Sequence, residues 1–205
     1  LDPSDWSATF ISPNVPLEAT ALLRCDFEAP AGIERARLHI TSLGVFEAEV
    51  NGAVVGDHVL DPGWTSYPGR VVVETFDVTE LLAEGANALG IRLADGWYRG
   101  RLGVDANARS AHYGDRIAAI AQLEMRTSDG RDATVCSDGS WRWSSGPTTR
   151  ASIYDGEDHD ARVEPPGWSR AGFDVSDWYP ADVVDRDLAT LVARLGPPMR
   201  RTEEV

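Results

Sequence analysis

Apolar and polar residues alternate with a period of two along most of this chain, in runs separated by turns rich in Gly, Asp, Asn and Pro. That pattern is the signature of half-buried strands and leaves few folds open. Ala36, Leu38 and Ile40 face one way while Arg35, Arg37 and His39 face the other. Phe46, Ala48 and Val50 alternate with Val45, Glu47 and Glu49 and run into Asn51-Gly52, two residues tolerant of positive φ and a strong hairpin signal. Further strands are predicted over 7–11, 21–29, 71–76, 88–94, 117–127 and 132–136, the last two joined as a hairpin by Ser128-Asp129-Gly130-Arg131. Helix is scarce. Thr79 to Ala83 allows one turn, with Thr79 as N-cap and Gly85 closing it. Residues 187–195 fit a short amphipathic helix. Short strands without intervening helices indicate an all-β fold, an antiparallel β-sandwich or jelly roll.

Size and charge narrow the function. A chain of 205 residues, 42% hydrophobic, buries roughly 70% of its unfolded surface and needs no metal or disulfide to fold. Its 19 basic residues, all arginine, face 33 acidic ones, for a net charge of −14. That balance repels phosphate backbones and anionic membranes, and excludes nucleic acid as the expected partner. No run approaches the ~20 apolar residues of a membrane helix. Cys25 and Cys136 form no CxxC pattern and read as reduced, partly buried thiols. His39, His58, His112 and His159 share no zinc spacing, and GxSxG, GxGxxG and P-loop patterns are missing. No catalytic constellation is expected.

Three segments carry other chemistry. The run Asp155-Gly156-Glu157-Asp158-His159-Asp160 offers hard oxygen ligands around a glycine turn without the twelve-residue calcium-loop pattern. It reads as a solvated turn locked by Arg150 or by an Asp160–Arg162 contact. The loops Asp61-Pro62-Gly63-Trp64-Thr65-Ser66-Tyr67 and Asp95-Gly96-Trp97-Tyr98-Arg99-Gly100-Arg101, the latter running into an irregular stretch over 102–114, combine aromatic faces with forked polar groups. Such combinations bind sugars by stacking on a pyranose and hydrogen bonding its hydroxyls. Trp97 as a core plug, with Arg99 paired to a nearby acid, is the alternative.

Taken in order, these motifs resemble a family. Gly44 to Gly52 with Val55-Gly56, Leu60 to Tyr67, Thr75-Phe76-Asp77-Val78-Thr79 with Leu82, Gly85 and Asn87, and Asp95 to Arg101 are similar to the N-terminal β-sandwich module of bacterial α-L-rhamnosidases. Tyr113-Gly114-Asp115-Arg116, Ile153 to Glu157 with Asp160-Ala161-Arg162, Pro166-Gly167-Trp168 and Asp174 to Trp178 continue the resemblance. The stretch from Phe76 to Asn87 alone is also similar to jelly-roll domains of β-galactosidase-like enzymes, and implies only a galactose-binding-domain-like fold.

The resemblance implies a non-catalytic accessory domain of an inverting glycoside hydrolase that releases terminal α-L-rhamnose. The partner it implies is a downstream (α/α)-barrel of the same polypeptide, which carries the catalytic carboxylates, so this chain alone is expected to be inactive. It implies residues 1–20 as a lead-in strand from a preceding domain, 21–184 as the β-sandwich module, and 185–205 as a connector toward that barrel. It also makes 188–192 a strand. The opening at Leu1 without methionine and the abrupt end at Val205 fit a segment of something longer, so cellular location stays open.

Some modules of the family bind rhamnose through calcium held by an acidic residue and an asparagine at a hairpin turn, with carbonyls after the Gly-Trp-Tyr motif. The matching pair here is Val50-Asn51, and Val71-Val72-Val73-Glu74 lacks the aromatic platform. Asn51 is therefore the single candidate metal ligand, and no cofactor is expected. Trp64, Asp95, Trp97, Tyr98, Arg99 and Glu157 are the candidates for carbohydrate binding or domain docking. An independent, calcium-dependent rhamnose-binding module is the alternative function.

Overall fold

The computed structural model describes residues 2–15, 17–103 and 110–200. Part of the stretch over 102–114 and the last five residues therefore lie outside the described residues. Fifteen strands are present among those described: β1 Phe10–Ser12, β2 Ala21–Ala29, β3 Ile33–Leu43, β4 Val45–Val50, β5 Ala53–Val54, β6 Val71–Asp77, β7 Gly85–Ala94, β8 Ala118–Thr127, β9 Asp132–Cys136, β10 Arg142–Ser145, β11 Thr148–Ser152, β12 Gly156–His159, β13 Tyr179–Pro180, β14 Asp182–Val184 and β15 Leu191–Ala193. One helical turn, α1, spans Gly96–Arg99.

Two sheets pack face to face as a β-sandwich. One runs β14-β1-β8-β3-β6-β15, with β9 paired to β8, and the other runs β13-β10-β2-β7-β4-β5. Between them lie the inward residues of the alternating runs. Ala36, Leu38, Ile40, Phe76 and Leu123 meet Leu23, Ala48, Val50, Leu89 and Ile91, with Trp141 and Trp143 closing the layer. Full burial of each large side chain contributes roughly 1.5–3 kcal/mol. A second apolar cluster covers the far side of the first sheet, where Phe10, Leu43, Val71, Val73 and Ile120 pack under Trp6, Tyr67, Tyr98 and Leu191. Cys25 and Cys136 are free thiols, and burial pushes Cys25 up to about 12.

The hairpin at Asn51-Gly52 forms as expected, with both residues at positive φ. Several local expectations need revision. The turn after β6 is a 3-10 helix over Thr79–Leu81, and Val78, not Thr79, holds its N-cap position, while Asp77 Oδ1 accepts from the Thr79 amide at 3.0 Å. Thr79 instead turns its hydroxyl back to accept from the Ala36 amide at 2.8 Å, tying the turn to β3. Residues 187–195 form neither one helix nor one strand: a 3-10 turn over Leu188–Thr190 leads into β15. That strand runs parallel to β6, with Leu191 opposite Val71, a departure from an antiparallel sandwich. β1 also joins a sheet, so segments expected as lead-in and connector each contribute a strand.

Candidate functional site

The two aromatic loops meet at one end of the sandwich. β7 ends at Ala94 opposite Val45, and Gly96 turns the chain sharply at φ +51. A Cβ there would lie 2.6 Å from Val45 Cγ1, so only glycine allows α1 to start so close to β4. The helical turn then aims Trp97 outward and Tyr98 inward. Trp97 stacks on Trp64, ring centroids 6.3 Å apart and planes within 9°. Trp64 is 52% exposed, and its indole N–H donates to the Tyr113 hydroxyl at 3.0 Å. Beneath them Tyr67, fully buried, takes Tyr98 and Tyr113 edge-on at 5.1 and 5.0 Å. The layer below anchors the pair above.

Arg99 is turned away from this platform. Its Nε donates to Asp95 Oδ1 at 2.8 Å, one helical turn back, and its terminal nitrogen donates to the Leu17 carbonyl. Burial raises the Asp95 carboxyl, and the Arg99 hydrogen bond opposes that rise. Arg99 thus pairs with a nearby acid, while Trp97 is half-buried rather than a core plug. Arg101 links the corner to the β11–β12 hairpin through Asp155 at 2.6 Å and lies over the Tyr154 ring. The acidic run is a solvated hairpin in which Asp155, Asp158 and Asp160 each have an arginine partner: Arg101, Arg150 and Arg162.

Glu157 stands apart from the platform. It lines a cavity of about 450 Å³ between the β11–β12 hairpin and the outer side of β4 and β7, with Glu47, Arg92, Phe46 and His58. Gly96 is the only residue of the 95–99 segment among its walls. Asn51 is farther still. The β4 register runs from Val45 opposite Ala94 to Val50 opposite Leu89, so Asn51 lies about 20 Å of strand away from the α1 end. Its amide donates to Leu81 O and Asn87 Oδ1, and its carbonyl accepts from the Ala88 amide. Those polar atoms serve the hairpin, and no acidic side chain precedes them.

Sequence reasoning missed a buried ionic cluster. Asp61, at 3% exposure, and Glu74, at 2%, face His58 and Arg194. Burial, then the Glu74 carboxylate, raises Asp61. The hydrogen bond that Arg194 donates to the Glu74 carboxylate raises the guanidinium further above its ordinary value. The Asp61-Pro62 dipeptide was visible as a loop, but nothing local announces a partner beyond residue 190.

Comparison with known proteins shows the family and the fold. A family model described as the alpha-L-rhamnosidase N-terminal domain matches residues 31–203. The chain belongs to that family. This rhamnosidase N-terminal domain is 41% identical over 185 residues to an α-L-rhamnosidase of Streptomyces avermitilis, covering 89% of this chain and 18% of that protein. The structure of that enzyme with L-rhamnose superposes at TM-score 0.86 over 90% of this chain and 18% of the other. The native enzyme of Aspergillus terreus superposes at 0.96 with 39% identity, over 99% of this chain and 24% of the other. The domain therefore spans a quarter or less of the relatives it matches. A Pleurotus ostreatus lectin, 17% identical at TM-score 0.58 over 90% of this chain and 45% of its own, shares the fold alone. No helix of the described residues is long and apolar enough to cross a membrane.

Proposed function

We propose that this rhamnosidase N-terminal domain is a non-catalytic accessory module, and that its aromatic corner is the surface on which a catalytic (α/α)-barrel of the same polypeptide seats. Trp64 carries the reading. A tryptophan more than half exposed, stacked on Trp97 and held by Tyr113, is a preorganised apolar anchor of the kind that dominates interfaces. Asp95, Tyr98 and Arg99 act by holding that anchor. The module takes in β1 and β15 as strands of its own first sheet, and the chain beyond β15 leads toward the barrel. Calcium has no role in this reading, because Asn51 is committed to its own hairpin.

Acrylamide quenching tests it, with Trp64→Phe isolating one signal among seven tryptophans. Trp64 is expected to be quenched readily in this chain and protected in the longer polypeptide. Equal quenching in both rejects the docking role. One observation favours a second reading, an independent rhamnose-binding module: the cavity beside Glu157 has the volume of a small-saccharide site. Calorimetry with L-rhamnose, with calcium and then with chelator, separates the two. No heat at millimolar sugar is expected. Saturable heat lost on chelation makes the module a calcium-dependent lectin.

A further inference from the structure

The buried ionic cluster divides its oxygens in a way that simple charge pairing does not require. Arg194 binds Glu74 through Oε1, donating from Nε at 2.6 Å, and reaches Asp61 Oδ1 at 3.2 Å. The other oxygen of each carboxylate is left for His58. Its Nδ1 lies 2.9 Å from Asp61 Oδ2 and 3.6 Å from Glu74 Oε2. One nitrogen and two carboxylate oxygens therefore converge, all within 4.8 Å of one another. Tetrahedral bonds of about 2.0–2.1 Å put adjacent ligand atoms about 3.3 Å apart, in the middle of the two His58 distances.

We propose that His58 Nδ1, Asp61 Oδ2 and Glu74 Oε2 bind a divalent transition-metal ion of the zinc class, in place of the proton on Nδ1. An imidazole with two carboxylates suits zinc or cobalt better than calcium, which prefers oxygens alone. The surroundings supply what such a site needs. Arg194 orients both carboxylates through their remaining oxygens, as outer-shell partners of metal ligands do. Phe76 packs on the imidazole at 5.0 Å and limits its rotation. Access is through His58, whose side chain is 15% exposed and lines the 450 Å³ cavity, while both carboxylates lie behind it. A fourth ligand, water or a ligand oxygen, would reach the ion from that cavity.

Cobalt(II) is the probe, added to the 205-residue chain and followed by visible absorption. One equivalent is expected to give the intense bands of four-coordinate cobalt, bleached by zinc. His58→Gln keeps a polar side chain that can hydrogen bond both carboxylates, and is expected to lose the bands while retaining its far-ultraviolet circular dichroism. Trp64→Phe, which alters the docking platform alone, is expected to keep them. Zinc should raise the Tm of the parent chain, and EDTA should reverse the rise, a readout independent of any variant folding. Absence of bands and of a Tm shift in the parent chain overturns the site. Bands of undiminished intensity in His58→Gln assign the metal elsewhere and overturn it equally.

Discussion

Arg194 stands between two carboxylates that are almost fully buried, and it is the only arginine among the described residues that touches both. Removing one partner from such a group leaves charge without compensation, which costs about 3–5 kcal/mol. Arg194→Met should lower the urea midpoint by that equivalent, and the loss should be partly recovered when Glu74→Gln is added. Gly90 is a second residue whose identity is dictated by its neighbours. It lies in the middle of β7, and a Cβ there would fall 2.6 Å from Trp168 Cζ3. Trp168 is 3% exposed, stacks against Trp178 and lies under the Arg92 guanidinium, so it cannot retreat freely. Gly90→Ala is expected to destabilise by about 1–3 kcal/mol through overpacking, read from chemical denaturation. It should also shift the tryptophan emission.

Elements with two unlike faces were legible from the sequence, and elements without them were not. The bounds 21–29 and 132–136 match β2 and β9. β3 and β8 have a buried inner face and a partly wet outer one, which is what period two encodes. β12 is exposed along its whole length, and β13, β14 and β15 have only two or three residues each. Such strands are specified by what they pair with, not by their own pattern. The apolar spacing of 187–195 suits a helix in isolation, and only the vacant edge of β6 draws Leu191–Ala193 into a strand. The candidate site divides likewise. The Asp95–Arg99 pair is one helical turn in sequence, whereas Arg194 is 120 residues from Glu74 and 133 from Asp61. At this scale the β11–β12 hairpin depends on Arg101. The Arg101–Asp155 pair is partly exposed, so Arg101→Ala should change global stability by no more than about 1 kcal/mol. Hydrogen exchange of the β11–β12 amides should nevertheless accelerate.

Taken as a whole, the molecule is strongly acidic, and its response to pH follows from two opposed groups of aspartates. Hydrogen bonds from Thr79, Thr127, Arg101, Arg162 and Ser176 hold Asp77, Asp129, Asp155, Asp160 and Asp174 below the usual carboxylate range. A carboxyl lowered in the folded state contributes stability that is present above the unfolded value, about 3.9, and lost as pH falls through the folded one. Asp61 and Asp95 have the reverse sign. Raised by burial, each binds its proton more tightly when folded, and favours folding as pH drops toward that same value. The urea midpoint is expected to hold steady from neutral pH to about 5 and to fall below about 4. Added salt should shrink the fall, because the lowered groups are exposed and screened.

The strands that complete both sheets come from the end of the described chain. β13, β14 and β15 close β10, β1 and β6 respectively. Ile11 waits for Val183, and Val71 for Leu191. A chain emerging residue by residue from a ribosome therefore cannot finish either sheet until nearly all of it has been made. Until then the β6 edge stays open, and Glu74 and Asp61 lack their guanidinium. Loop closure over such separations is slow, and open edges invite pairing between nascent chains. Yield of folded protein should accordingly depend on translation speed and on chaperones that shield strand edges, more than the final stability of the sandwich would suggest.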